Sequence, residues 1–162
     1  MDSLLIRGGR PLVGTVEIKG AKNAALPILA ATVLHGGMYM IENCPNISDV
    51  DAASEILEAL GGWTLRNGNT LLVDTRGIDR WRIPGSLMAR MRASVLFLGP
   101  LLARFGRAEL TMPGGCPLGS RPIDLHMQAI AAMGASVTLR DGVISTRGGS
   151  GFFCLAAGCV GE

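Results

Sequence analysis

The residues of this chain best suited to chemistry lie between positions 111 and 126. There Cys116 is set among Gly114, Gly115 and Gly119 and among Pro113, Pro117 and Pro122. That mixture cannot form a regular helix or an interior strand, and it makes a shaped loop whose backbone can come close to a ligand. Arg121, Asp124 and His126 follow at once, and Ile123, Leu125, Ile130 and Ala131 carry the apolar spacing of a helix with Pro122 in its first turn. A thiol therefore faces a helix N-terminus dressed with one fixed positive charge. Such surroundings favour the thiolate and suit a negatively charged substrate, with Cys116 transferring a proton or making a bond.

Two further stretches supply cations. Lys22 and Asn23 stand at the start of an apolar run, with Asn23 as the N-cap and Pro27 tolerated within the first turn, so both lie where a helix presents free N–H groups. Arg90 and Arg92 flank Met91 in an otherwise apolar helical stretch, and at that spacing they cannot share one face. One of them is expected to turn toward the other anion-binding elements, while Arg90 reads equally well as a solvated side chain with a covered stem. His126 reads as a packed histidine or as a ligand. Together Lys22, Arg92 and Arg121 suit anionic oxygens, and Cys116 suits proton transfer or covalent attachment, which points to phosphate or carboxylate recognition. No Walker A pattern and no Gly-x-Gly-x-x-Gly after a strand is present, so nucleotide hydrolysis and dinucleotide binding fit poorly.

The elements that position these groups read as a mixed α/β domain. Residues 3–6 and 14–18 read as short strands, 24–34 as a helix and 38–42 as a strand. Ser48 caps a helix over 49–60 with Asp49 and Asp51 in its first turn, where the helix dipole favours them. Residues 63–66 and 70–74 flank Asn67 and Gly68, a type I′ hairpin signal. A helix over 86–102, a strand over 108–112, the cysteine loop, a helix over 122–133 and a hairpin around Asp141 and Gly142 repeat the plan. The repeat reaches single residues. Ala59-Leu60-Gly61 answers Ala132-Met133-Gly134, and Thr75-Arg76-Gly77 answers Thr146-Arg147-Gly148. This is an internal duplication of a helix, strand, loop, helix, strand, strand unit, of which two copies are visible.

Composition narrows the class. At 162 residues, with 48% hydrophobic residues and a mean hydropathy of +0.36, the chain has the makings of one aliphatic core. A net charge of +2 without a basic run gives no nucleic-acid footprint. Cys44, Cys116, Cys154 and Cys159 have no metal-ligand spacing, so no metal is expected. The opening residues hold no secretory signal, and the apolar run 24–34 is much shorter than the ~20 residues of a membrane span. The expectation is a soluble cytoplasmic protein with reduced thiols.

Three stretches carry a closer resemblance: residues 19–27, with Lys22 and Asn23; Met91-Arg92-Ala93-Ser94; and residues 113–126, with Cys116, Arg121, Pro122, Ile123, Asp124 and Leu125. In this order, and from residue 1 to about 147, the chain resembles the N-terminal portion of the UDP-N-acetylglucosamine 1-carboxyvinyltransferases, the enolpyruvyl transferases of the first committed step of peptidoglycan synthesis. The resemblance implies an α/β (α+β) fold of repeated six-element units, the inside-out barrel, with about two repeats present. It implies strands of the family's other domain over 1–21, a partial repeat domain over 22–147 and a non-matching tail over 148–162.

It also implies a reaction. The sugar 3-hydroxyl attacks C2 of phosphoenolpyruvate, C3 is protonated and phosphate leaves. By the resemblance Lys22 and Asn23 contact phosphoenolpyruvate, and Arg92 and Arg121 serve the anionic groups. Arg121, Pro122, Ile123, Asp124 and Leu125 hold the UDP part. Cys116 is the loop cysteine that donates the proton, forms a covalent adduct with phosphoenolpyruvate and is the target of fosfomycin. UDP-N-acetylglucosamine and phosphoenolpyruvate are the partners implied, with no cofactor, no nucleic acid and no membrane. The family chain is much longer, and its second domain supplies the aspartate that deprotonates the sugar hydroxyl and a further arginine. A truncated or frameshifted product that binds but catalyses poorly is therefore expected. The alternatives are a non-catalytic anion-binding remnant and a relative acting on shikimate 3-phosphate, a family that lacks this cysteine loop.

Overall fold

The structure is a computed structural model, and it describes residues 3–9, 11–112 and 123–148. Helix α1 (Lys22–Ala31) runs into a 3₁₀ turn (Thr32–Leu34), followed by strand β1 (Met38–Ile41), helix α2 (Ser48–Ala59) and the hairpin β2 (Trp63–Asn67) and β3 (Thr70–Asp74). A short helix α3 (Gly85–Met88), a 3₁₀ turn (Arg92–Phe97) and helix α4 (Leu98–Phe105) lead to β4 (Arg107–Thr111). Helix α5 (Asp124–Ala132) and the hairpin β5 (Ala135–Arg140) and β6 (Val143–Gly148) complete the described chain.

The duplication is visible in the topology. Each half makes a three-stranded antiparallel sheet in which the last strand is central, β1-β3-β2 and β4-β6-β5. Both α2 and α5 end at a glycine in the left-handed region, Gly61 at φ 105° and Gly134 at φ 93°, where a side chain would be strained. Thr75 and Thr146 are buried at equivalent places, each hydroxyl 3.3 Å from the carbonyl facing it, Gly37 and Ala108, and the Thr75 hydroxyl donates at 2.9 Å to the His35 carbonyl.

One core joins the two halves. It takes Leu29 and Val33 from the α1 segment, Val50, Ile56 and Leu57 from α2, Leu98, Leu101 and Leu102 from α4, and Leu110 and Ile144 from the second sheet. Aliphatic side chains at three- and four-residue spacing give each helix one buried stripe. Half-buried Arg104 staples these layers, its Nη1 donating to the Val33 carbonyl at 3.1 Å and its Nη2 to the Thr75 and Ile78 carbonyls at 3.1 Å each. No described helix is long and apolar enough to cross a membrane.

Several expectations are corrected. Residues 3–6 and 14–18 pair with no other described strand, and Leu4, Leu5, Ile6, Val16 and Ile18 are exposed. Alternation alone makes no strand without a partner edge to take up its N–H and C=O groups. The caps shift by one or two residues: α1 starts on Ala21, whose carbonyl accepts from Ala24 and Ala25, so Asn23 is already helical and Pro27 lies beyond the first turn. Ile47 rather than Ser48 precedes α2. The 86–102 helix is broken at Met91, which is extended at φ −140°. In the first hairpin the loop residues are Gly68 and Asn69, and only Gly68 is left-handed, so the turn is not type I′. In the second, Asp141 and Gly142 both have positive φ, as type I′ requires. Of the apolar spacing expected for α5, Leu125 is 72% exposed and Ala131 is exposed, while Ile130 and Ile123, just before the helix start at Asp124, are buried.

Candidate functional site

The start of α1 is held by a close approach of backbone. The Gly20 N–H donates to Asn43 Oδ1 at 3.1 Å, and a Cβ on Gly20 would lie 1.9 Å from the Asn43 carbonyl oxygen. Asn43 is itself left-handed at φ 50°. With no side-chain cap on α1, its leading N–H groups at Lys22 and Asn23 are turned outward, where the helix dipole favours an anion. The Lys22 ammonium lies 2.5 Å from Asp49 Oδ2 in the first turn of α2, so two helix N-termini are brought side by side by one ion pair.

Arg92 reaches the same place by a different device. Met91 and Ser94 are buried, and Ser94 Oγ donates to the Met91 carbonyl at 2.6 Å. That bond closes a tight turn whose two inner positions, Arg92 and Ala93, are half-buried and line a hollow. A concavity of about 370 Å³ results, lined by Lys22, Asn23, Asp49, Arg92, Ala93, Val95, Leu96, Ile123 and His126. Arg90 points elsewhere and pairs with Glu55 of α2. The helical reading that set Arg90 and Arg92 on different faces reaches the right division through the wrong backbone.

The structure therefore brings Lys22, Asn23, Arg92 and Ile123 around one hollow and adds His126. Asp124 and Leu125 are exposed and do not line it. Cys116, Arg121 and Pro122 lie outside the described residues. The sequence reading missed Asp49 as the partner of Lys22, because its place in a first turn already accounted for it. It also missed Ser94 as the anchor of the Arg92 turn and Gly20 as the clamp on Asn43; only the motifs that contain them gave a signal. Chemically the hollow brings together an ammonium, a guanidinium and an imidazole over an apolar floor, with one carboxylate paired to the ammonium. Among the described residues no group of His, Cys, Asp and Glu could hold a metal ion.

Comparison with known proteins agrees on one relationship. The family described as EPSP synthase (3-phosphoshikimate 1-carboxyvinyltransferase) matches residues 6–147. A UDP-N-acetylglucosamine 1-carboxyvinyltransferase of Halorhodospira halophila is 49% identical over 148 residues, 91% of this chain and 35% of that one. Its namesake from Geotalea uraniireducens is 46% identical over 147 residues, with the same coverage. The solved enolpyruvyl transferase NikO from Streptomyces tendae superposes with a TM-score of 0.74 at 28% identity, over 87% of this chain and 31% of that one. The chain spans about a third of the length of the curated relatives it matches.

Proposed function

Because the chain belongs to the EPSP synthase family of enolpyruvyl transferases, we propose that it carries the substrate-binding and proton-donating part of a UDP-N-acetylglucosamine 1-carboxyvinyltransferase. The observation that carries this reading is the hollow itself: Lys22 with Asn23, Arg92, and Ile123, drawn from three separate sequence motifs, line one concavity. Phosphoenolpyruvate brings a carboxylate and a phosphate. Lys22, Arg92 and the first N–H groups of α1 match those oxyanions, and His126 adds a further donor.

In the proposed reaction the sugar 3-hydroxyl adds to C2 of phosphoenolpyruvate while C3 takes a proton from Cys116. Elimination then removes a proton from C3 and expels phosphate. Lys22 and Arg92 hold the phosphate as charge gathers on it in the leaving step. Arg121, Pro122, Ile123, Asp124 and Leu125 hold the UDP part. The group that takes the hydroxyl proton belongs, by the resemblance, to the family's second domain, and so do the partners of residues 1–21. The proposed setting is cytoplasmic peptidoglycan synthesis, with fosfomycin directed at Cys116.

Two measurements on the 162-residue chain test this. UDP-N-acetylglucosamine with phosphoenolpyruvate is expected to raise the unfolding midpoint, and Arg92→Gln, which removes a charged hydrogen-bond donor, to weaken phosphoenolpyruvate binding by ~10- to 100-fold. Phosphate release from phosphoenolpyruvate is expected to be absent or slow, with whatever is seen lost in Cys116→Ser. A chain that binds neither ligand overturns the proposal, and one that turns over at ordinary enzyme rates overturns its division of labour. Shikimate 3-phosphate in place of the sugar nucleotide separates the two substrate classes within the family.

A further inference from the structure

A second hollow, of about 440 Å³, lies on the outward face of the β4-β6-β5 sheet, lined in part by Trp81, Arg107, Ser136, Thr138, Ser145 and Arg147. We propose that it is a binding site for the phosphate group of a small organic phosphate, separate from the concavity at Lys22 and Arg92. Arg107 and Arg147 face each other across the β4-β6 ladder. The next residue pair is joined by the Gly148 N–H bonding the Gly106 carbonyl at 2.8 Å, which makes the two arginines a non-hydrogen-bonded pair, the kind whose side chains stand closest. Like charges so placed repel. Among the described residues neither has a carboxylate within 4 Å, and the one acid lining the hollow, Glu109, is engaged by Arg82 at 3.3 Å.

The duplicated half shows what a self-sufficient arrangement looks like. Thr75-Arg76-Gly77 answers Thr146-Arg147-Gly148, and Arg76 is neutralised by Asp74, 2.7 Å away. The counterpart of Asp74 in the second half is Ser145. The second copy therefore keeps the arginine, lacks its acid and adds a second arginine opposite it. Arg107 is further fixed by stacking on Trp81, its guanidinium carbon 3.4 Å from the ring centroid, which leaves the edge of the fork for a ligand. The Ser136 and Thr138 hydroxyls make only long bonds to β6 carbonyls, 3.3 and 3.4 Å, and can turn to an incoming oxyanion. Two arginines over a floor of hydroxyls match a phosphate, and the volume fits a small molecule.

Titration calorimetry with inorganic phosphate and with glycerol phosphate is run on the Arg92→Gln chain, in which the concavity at α1 is weakened, and this site is read as the part of the binding that Arg147 and Ser145 control. Saturable binding is expected, weakened at least tenfold by Arg147→Gln and equally by Ser145→Asp, which restores the internal partner found in the first half and leaves the guanidinium in place. Arg147→Lys should recover part of the affinity. Unchanged binding in Arg147→Gln and Ser145→Asp, or no binding in the Arg92→Gln background, overturns the site. Tighter capture of a short oligonucleotide than of glycerol phosphate overturns the assignment to a small ligand. Arg147 and Ser145 lie outside the concavity at Lys22, so the effects of replacing them read this site whether or not the chain takes phosphoenolpyruvate there.

Discussion

Replacing Gly20 by alanine tests whether the backbone clamp before α1 sets the site. The added Cβ would sit 1.9 Å from the Asn43 carbonyl oxygen, 3.1 Å from its carbon and 3.3 Å from Pro45 Cδ. A comfortable contact is roughly 3.5 Å, so the two segments must part by more than an ångström. The 3.1 Å bond from the Gly20 N–H to Asn43 Oδ1 is then lost, worth about 1 kcal/mol, and overpacking adds ~1–3 kcal/mol where the neighbour cannot yield. Here one neighbour can yield: residues 3–9 and 11–19 are exposed and unpaired. Most of the strain is relieved by moving that lead-in, and the expected loss settles at about 1–2 kcal/mol.

Lys22, two residues on, moves with it. Affinity for phosphoenolpyruvate should fall by roughly tenfold, since an ångström of misplacement at a reacting group can have effects of up to about 10²-fold. Urea unfolding followed by circular dichroism reads the first quantity and titration calorimetry the second. Gly14→Ala is the control, because nothing lies within 4 Å of its would-be Cβ. If Gly20→Ala matches the parent in both stability and affinity, the clamp does not position the start of α1 and the reasoning fails.

Two other perturbations follow from the fold. Arg104→Met removes three bonds from one guanidinium to the Val33, Thr75 and Ile78 carbonyls and should lower the unfolding free energy by about 2–4 kcal/mol; a change within error in urea titration would show that water replaces the staple. The Asp74 carboxyl is held down to about 2, from an ordinary 3.8, first by its side-chain hydrogen bond from Arg76. A depressed carboxylate stabilises the fold above its unfolded value and loses that contribution as pH falls from about 3.8 through about 2. In Arg76→Gln the Asp74 midpoint read by NMR should rise part of the way toward 3.8, since the backbone N–H of residue 76 still donates to it at 3.0 Å, and the acid sensitivity in that window should shrink; an unmoved midpoint would refute the pairing.

The duplication was legible because it is written in punctuation. Gly61 and Gly134 end helices, and a hairpin follows each, which placed both hairpins before any contact was known but left the sheet order open. That Lys22 and Arg92 belong together was legible for the same reason, each lying in a compact motif. What escaped was set by bonds between distant residues or by hydroxyls with no sequence period. The break at Met91 depends on the Ser94 hydroxyl reaching back three residues, the start of α1 on Asn43 twenty-three residues away, and the ion pair of Lys22 on a helix whose acid already had a reason to be there. Residues 3–6 and 14–18 form no strand for a plainer cause: a strand needs a partner segment, and the alternation of Val16 and Ile18 describes only one of the two.

Pro27, which lies in the body of α1 rather than at its first turn, has a consequence for how the start of that helix is held. Having no N–H, it offers nothing to the carbonyl of Asn23 four residues back, and its ring tilts that carbonyl away from the helix axis. The Asn23 carbonyl therefore lacks the N–H that helical spacing would otherwise bring to it. Any residue with an N–H in place of Pro27 would restore that bond, so the start of α1 as it stands is held by one rung fewer than its length allows.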